Sequence, residues 1–426
     1  MNGSDPRCVA AGTTPLMASV APVLTGRRIV VYGMNYAPEI AGVGKYTGEI
    51  AEYLAGKGAD VTVVTTPPHY PGWAVREDYG NRYSGAMENG VRVRRAPLLL
   101  RRNMVGIWRL LAPLTFALSS APVIFYEILR RRPGVVFCVE PTLFAAPVAQ
   151  FAAWLVGAET LLHVQDLEVD AAFAVGHLGS KAWLKWAAYA FERFTLAGFT
   201  RVITISNRMA EKLREKGVRA DRLSIVRNWV DLSHIYPMKE ESPYRAELGY
   251  SPEDFVVLYS GNIGAKQGLT LLFETAERLK DEKRIHFIVA GEGPSKKALQ
   301  DNYGKLANVR FLPFQPYERL NEFLNMADLL VLPQEKGAAD LVLPSKLGGM
   351  LASGKPVLVT ADEGTELAEF VANRSKLVPP GNPDELERAI LGIFADRAKR
   401  QLPHQGSICP ELDKEQCISN LCELLS

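Results

Sequence analysis

The stretch "LVLPSKLGGMLASGKPVL", residues 341–358, decides how the rest of the chain is read. It opens a short helix on Pro-Ser-Lys, places two glycines in the first turns, and runs through Gly-Lys-Pro into an apolar strand. Each interior glycine costs a helix about 1 kcal/mol against alanine, so a helix built for packing alone would not select them. Pro344 suits a helix start because it loses nothing there by lacking an N–H, and Ser345 can satisfy an orphan donor. The free N–H groups of that start, with Lys346 and Leu347 beside them and Gly348 and Gly349 leaving room, are expected to form an anion site.

Around this stretch runs a series of apolar, β-branched segments, "FVVLYSG", "IHFIVAG", "VRFLPF", "ADLLVLP" and "PVLVT", separated by segments of helical period. An earlier series, "RIVVYG", "DVTVVT", "VRVRRA", "VVFCVE", "TLLHVQ", "RVITIS" and "LSIVRN", follows the same rule. Such alternation is the pattern of a parallel sheet covered by helices on both faces, with ligand crevices at the carboxyl ends of the strands. Polar, proline-punctuated residues 231–254 separate the two series. The expected fold is α/β, with two doubly wound Rossmann-like domains, 27–235 and 236–400, facing a central cleft. Residues 1–26 read as a flexible leader, lacking the basic start and long apolar core of a signal peptide. Residues 401–426 read as a C-terminal helix packing back across the domain pair.

A formal net charge of +2 over 426 residues gives no reason to expect nucleic acid as a partner. Five cysteines without C-x-x-C spacing argue against a disulfide framework and a structural zinc site, and point to a reducing cytoplasm.

Two loops besides the opening one look built for anions. After the first strand, "YAPEIAGVGKYTGEIAEYL" puts Gly42 and Gly44 in a strand-to-helix turn where backbone N–H groups can approach a phosphate. The spacing G-x-G-x-x-x-G and the absence of an acid after "DVTVVTTPP" exclude the dinucleotide fingerprint, while a tight turn that binds nothing remains the alternative. In "YSGNIGAKQG", Gly261, Gly264 and Gly268 flank Lys266, but Gln267 follows where a nucleotide-hydrolysing P-loop needs Ser or Thr after its lysine. One lysine on such a turn suits a diphosphate; a solvated loop lysine is the competing reading.

The order of the Gly-rich loop, "HVQD", "VRNWVD", "SGNIGAKQG", "GEGP" and "PSKLGGMLASGKPV" resembles that of the retaining glycosyltransferases of family 4, which have the GT-B fold, and especially the exopolysaccharide enzymes of colanic-acid type proposed as fucosyltransferases. The resemblance implies a retaining transferase that moves a sugar from a GDP- or UDP-linked nucleotide-sugar donor to an oligosaccharide or lipid-linked acceptor, without an obligatory metal. By position it implies that Gly42 touches the donor phosphate, Lys266 binds the diphosphate and His163 lies beside the donor sugar. Gly261, Asn262 and Gly264 would complete that cradle with Ser345, Lys346 and Leu347, and Phe314 or Gln315 would lie by the base. Asn262 stands where the family often has arginine, and Leu341 and Gly349 stand where it has paired glutamates, leaving Glu335, Asp340 and Lys346 as nearby substitutes. Alternating Asp166, Glu168 and Asp170 could suggest a hard cation, but no metal site is expected.

Two further stretches concern the acceptor. Tyr70 and Trp73 in "TPPHYPGW" could stack on a sugar or pack beneath their loop. Within residues 98–132, an uncharged run from Leu110 to Tyr126 is shorter than the roughly 20 residues of a spanning helix, contains Pro113 and Pro122, and is bracketed by Arg101, Arg102, Arg109 and Arg130 to Arg132. That composition suits an element at the inner face of an anionic membrane, or else a pair of core helices with solvated arginines. A GT-B type sugar-nucleotide epimerase and a non-catalytic sugar-nucleotide-binding protein are the rival functions.

Overall fold

The computed structural model describes residues 24–39, 42–70, 72–101, 107–141, 143–170, 182–336, 343–398 and 410–425. The first domain is an eight-stranded sheet of β1 (Arg28–Tyr32), β2 (Asp60–Thr65), β3 (Ser84–Glu88), β4 (Val91–Arg95), β5 (Val135–Glu140), β6 (Glu159–Val164), β7 (Arg201–Thr204) and β8 (Leu223–Ile225). The second is a six-stranded sheet of β9 (Phe255–Ser260), β10 (Ile285–Ala290), β11 (Val309–Leu312), β12 (Leu329–Leu332), β13 (Val357–Thr360) and β14 (Lys376–Val378). Central strands such as β5 are buried along their whole length, as parallel strands covered on both faces require.

The strand orders, β3-β4-β2-β1-β5-β6-β7-β8 and β11-β10-β9-β12-β13-β14, fix the site. Each order reverses direction once, between β1 and β5 in the first sheet and between β9 and β12 in the second. Chains leaving two neighbouring strands in opposite directions open a crevice at their carboxyl ends. The glycine-rich loop after β9 and the Pro-Ser-Lys segment after β12 therefore border one crevice. Only β3 runs antiparallel, in a hairpin with β4. Its turn is Asn89-Gly90, with φ of 48° and 80°, the left-handed pair that a two-residue hairpin needs.

The helices that matter for the site are α1 (Gly42–Gly56), α2 (Ile107–Arg131), α3 (Ala146–Val156), α4 (Ala182–Ala197), α5 (Asn207–Glu215), α6 (Lys346–Ala352), α7 (Glu366–Val371) and α8 (Lys414–Leu425). Residues 107–131 are one continuous helix through Pro113 and Pro122, where two core helices or a surface element were expected. By length and composition alone α2 could cross a membrane, but Ala112, Phe116, Ser120, Ile124 and Ile128 on its inner stripe are buried against the sheet. Tyr32 on β1 and Ser120 share a 2.6 Å hydrogen bond that pins the two together.

The chain crosses between domains twice. After β8 it passes Val230, whose N–H donates to the Leu412 carbonyl at 2.8 Å, while the Lys414 N–H donates back to the Val230 carbonyl at 3.1 Å. Leu412 belongs to the core of the second domain, whereas Cys417, Ile418, Leu421, Cys422 and Leu425 of α8 lie in the core of the first beside α1. Of the leader residues, 1–23 lie outside the described residues. Among the described residues Leu24, ahead of Arg27, already belongs to the domain through its buried side chain and its N–H bond to the Lys57 carbonyl.

Candidate functional site

Three loops of the second domain assemble around Gly261. Gly261 donates its N–H to the Ala290 carbonyl, Ile263 donates to the Glu292 carbonyl and Ser295 donates back to the Ile263 carbonyl, so the Gly-Glu-Gly-Pro turn is zipped against the glycine-rich loop. Gly291 is at φ +144°, and a Cβ there would stand 1.8 Å from the Gly261 carbonyl oxygen, so a side chain cannot be admitted without parting the two loops.

Onto this platform α6 lays Lys346. Its ammonium donates to the Tyr259 hydroxyl at 2.7 Å and sits 4.1 Å above the Tyr259 ring. Tyr259 in turn donates to the Asn262 carbonyl at 2.5 Å. A Cβ on Gly261, at φ +147°, would lie 3.1 Å from the Lys346 Nζ, so that glycine also leaves the lysine its place. Among the described residues no carboxylate comes within ion-pair distance of Lys346, and burial lowers its pKa from 10.5 to about 7. A part-buried cation with no carboxylate partner is costly to hold.

The other expected donor residues divide. Lys266 is exposed on a single 3-10 turn, Ala265–Gln267, and its carbonyl accepts the Glu335 N–H at 3.1 Å. Asn262 is exposed, and the Gly264 N–H donates to Gln267 Oε1 at 3.0 Å. Ser345 is exposed and makes no side-chain cap, contrary to expectation, and a seven-residue α6 supplies little dipole. Leu347 is buried in the core. Gly348 would meet Val230 at 3.3 Å and Gly349 would meet Leu324 at 3.6 Å, so these glycines admit neighbouring side chains rather than a ligand. Phe314 is exposed, while Gln315 spends its amide on Tyr244 and the Pro313 carbonyl. Asp340 and Leu341 lie outside the described residues.

The first domain corrects the sequence reading more sharply. A Cβ on Gly44 would fall 2.3 Å from Glu39 Oε2, and one on Gly42, at φ +66°, 3.2 Å from the Tyr70 ring. The room those glycines provide is thus filled by a carboxylate and a tyrosine of the chain itself. Glu39 is buried and accepts the backbone N–H groups of His69 and Tyr70, with the Asn35 amide, at 2.9–3.1 Å. Tyr70 keeps an exposed face, whereas Trp73 packs partly against the core.

His163 does not reach the cleft. It shares its strand face with Leu161, lies edge-on to Phe137, is 1% exposed, and burial lowers its pKa to about 4. Its Nε2 stands 3.2 Å from the Gln165 amide, and Gln165 exchanges two hydrogen bonds with Asn228 at 2.9 and 3.1 Å. Asp166, exposed just beyond β6, lies near Lys266 of the second domain; partial desolvation raises its pKa, while the Leu167 N–H and the Lys266 ammonium pull it back down. The three acids expected to alternate have separate partners: Glu168 accepts the Leu143 N–H, and Asp170 pairs with Lys216. A small cavity between the domains is lined by Arg227, Asn228, Trp229, Leu343, Ser345 and Gly348. Asn228 lines that cavity with Ser345, and Asp166 lies near Lys266; neither they nor Gln165, the hydrogen-bond partner of Asn228, have a site role from sequence, although the quoted "HVQD" and "VRNWVD" contain them.

Two Rossmann-like domains whose switch points face one another across a cation-bearing crevice make the architecture of a GT-B glycosyltransferase. Residues 41–229 match the glycosyl transferase 4-like domain, and residues 240–405 match the glycosyl transferases group 1. WcaI of Escherichia coli (strain K12), provisionally named a colanic acid biosynthesis glycosyl transferase, is 38% identical over 405 residues, covering 92% of this chain and 98% of its own. The D-inositol 3-phosphate glycosyltransferase of Nocardia farcinica is 32% identical over 185 residues, 41% of this chain and 40% of that one. Sucrose-phosphate synthase of Thermosynechococcus elongatus superposes with a TM-score of 0.67 at 16% identity, over 94% of this chain and 98% of that one. Anabaena HepE, solved with UDP-glucose, superposes with a TM-score of 0.64 at 16% identity, over 93% and 99%. At those identities the structures share the fold alone. The chain belongs to the family 4 glycosyltransferases of GT-B fold.

Proposed function

We propose that the protein transfers a sugar, with retention of anomeric configuration, from a GDP- or UDP-linked donor to a lipid-linked glycan during exopolysaccharide synthesis at the cytoplasmic side of the membrane. The observation behind this reading is Lys346, a part-buried lysine at the β9–β12 switch point without a carboxylate partner among the described residues. The donor diphosphate would take the place of the missing anion, with Lys266 closing on it from the exposed turn and Asp166 across the cleft. The likeness to WcaI supports an exopolysaccharide product, and HepE, solved with UDP-glucose, supports a nucleotide-sugar donor.

In the reaction the acceptor hydroxyl bonds to the anomeric carbon on the face from which the diphosphate departs. The carbon–oxygen bond to the β-phosphate breaks, and the leaving phosphate oxygen takes the hydroxyl proton. Lys346 and Lys266 stabilise the charge growing on that oxygen, which is worth most in a dry, preorganised site. Lys266→Ala is expected to lower kcat by roughly 100-fold while leaving the melting temperature unchanged, since its side chain is exposed. Product NMR would show the donor's anomeric configuration kept, and free nucleoside diphosphate would accumulate only with acceptor present. Unchanged turnover in Lys266→Ala, or inversion at the anomeric carbon, would contradict the reading.

A further inference from the structure

We propose that the outer face of α2, α3 and α4 is a membrane-docking surface for an anionic phospholipid bilayer. The three helices lie side by side on one face of the first sheet. Phe125 of α2 stacks on Phe151 of α3 with ring centroids 6.3 Å apart, and Gln150 of α3 donates to the Thr195 carbonyl of α4 at 2.8 Å. Their inner stripes fill the core. Their outer stripes are also apolar: Leu118, Trp154, Trp183, Trp186 and Phe194 are each between 66% and 74% exposed.

A surface helix of a water-soluble domain normally turns a polar face outward. In α4 one exposed stripe, Trp183, Trp186, Ala190, Phe194 and Ala197, recurs at helical spacing and carries no charged side chain, with Lys185 and Arg193 also exposed on the helix. Three of the six tryptophans of the chain stand in this patch. An aromatic body with one polar edge is the side chain best suited to the boundary between headgroups and acyl chains.

Charge selects the occupant. The only acids on these helices are Glu127 and Glu192, and both are buried, paired with Arg94 and Arg131 and with Lys216 respectively. Among the described residues the exposed charges on the three helices, Arg130, Lys185 and Arg193, are all basic, and Arg132 follows directly after α2; exposed Glu159 stands only beyond the end of α3. Two copies packed face to face across a two-fold axis would set this basic rim against itself. An anionic lipid surface neutralises the rim and takes up the aromatics together. Phe144, which follows β5, is exposed and stacks on Phe191 of α4, extending the apolar face toward the carboxyl end of the sheet. The inference thereby deepens the lipid-linked acceptor of the proposed reaction, although it stands on the face itself.

Sedimentation of the full chain with vesicles, in the absence of any substrate, tests it apart from the chemistry. The wild type is expected to pellet with phosphatidylcholine–phosphatidylglycerol vesicles, far less with pure phosphatidylcholine, and progressively less as salt rises. Trp154→Glu/Trp186→Glu is expected to weaken partitioning by about tenfold or more, and Arg130→Gln/Arg193→Gln by a smaller, salt-sensitive factor. Both variants alter exposed positions and should keep the wild-type melting curve and the wild-type rate on a water-soluble acceptor. The proposal is overturned if the wild type ignores anionic vesicles, if the tryptophan variant binds them as well as wild type, or if the wild type is a dimer that this variant splits.

Discussion

Replacing Lys346 with methionine is expected to raise the melting temperature of the unliganded protein while removing roughly 100-fold or more of kcat/KM. The two effects share one cause. Burial holds the ammonium at a pKa of about 7, against 10.5 when exposed, so the folded state is charged there at a cost that an unbranched apolar side chain of similar volume does not bear. Between those values the unfolded chain retains a proton that the folded protein has lost, so wild-type stability rises with pH through that window. Thermal melts of both proteins from pH 6.5 to 9.5 should converge toward the alkaline end. Tyr259 keeps its bond to the Asn262 carbonyl in the variant, so the platform itself is preserved. A methionine variant that melts lower yet turns over normally would make Lys346 a structural residue.

The second large effect lies at the seam between the domains. Glu366, the first residue of α7, accepts the N–H groups of Asn207 and Arg208 at the start of α5, at 3.0 and 2.8 Å, and pairs with Arg227 at 2.6 Å. Its side chain is 3% exposed and that of Arg227 15%. Glu366→Ala leaves a guanidinium and two helix N–H groups without their partner, a change that costs about 3–5 kcal/mol. For domains of this size that is a fall in melting temperature on the order of 10 °C. Although burial alone would raise the Glu366 pKa, the two backbone N–H bonds and Arg227 outweigh it and lower the pKa below its ordinary 4.5. The stabilisation is therefore complete above about pH 4.5 and fades as pH falls through the lower folded value, where wild type and variant should approach one another. Equal stability of the two at pH 7 would show that the seam is held elsewhere.

The sheets were legible because parallel strands buried on both faces are mostly short apolar runs, and every segment expected as a strand became one. β3 was missed since "SGAME" has no β-branched residue, although the Asn89-Gly90 turn that makes its hairpin is a strong local signal. β14 is three residues long, too short for any period to show. At the site, sequence located glycines but not what fills the space they leave. Glu39 occupies the room at Gly44, Val230 and Leu412 that at Gly348, and each of those contacts depends on tertiary packing. Strand parity did carry information about His163. It shares a face with Leu161 in a sheet covered on both sides, which buries it, and the next residues, Gln165 and Asp166, leave the strand toward the cleft. The pairing of Lys346 with Tyr259 joins the start of α6 to the end of β9, distant in sequence, and no local pattern announces it.

The central claim is that Lys346 waits, largely uncharged above neutrality, for a diphosphate. Calorimetric titration of nucleoside diphosphate into the protein at pH 8, repeated in buffers of different ionisation enthalpy, counts the protons taken up on binding. Uptake approaching one proton at pH 8, falling away at pH 6 and absent in Lys346→Met, is the expected result, because a bound pyrophosphate restores the charge that burial had removed. Binding with no proton uptake at pH 8, and with equal affinity in the methionine variant, is the result that would contradict it.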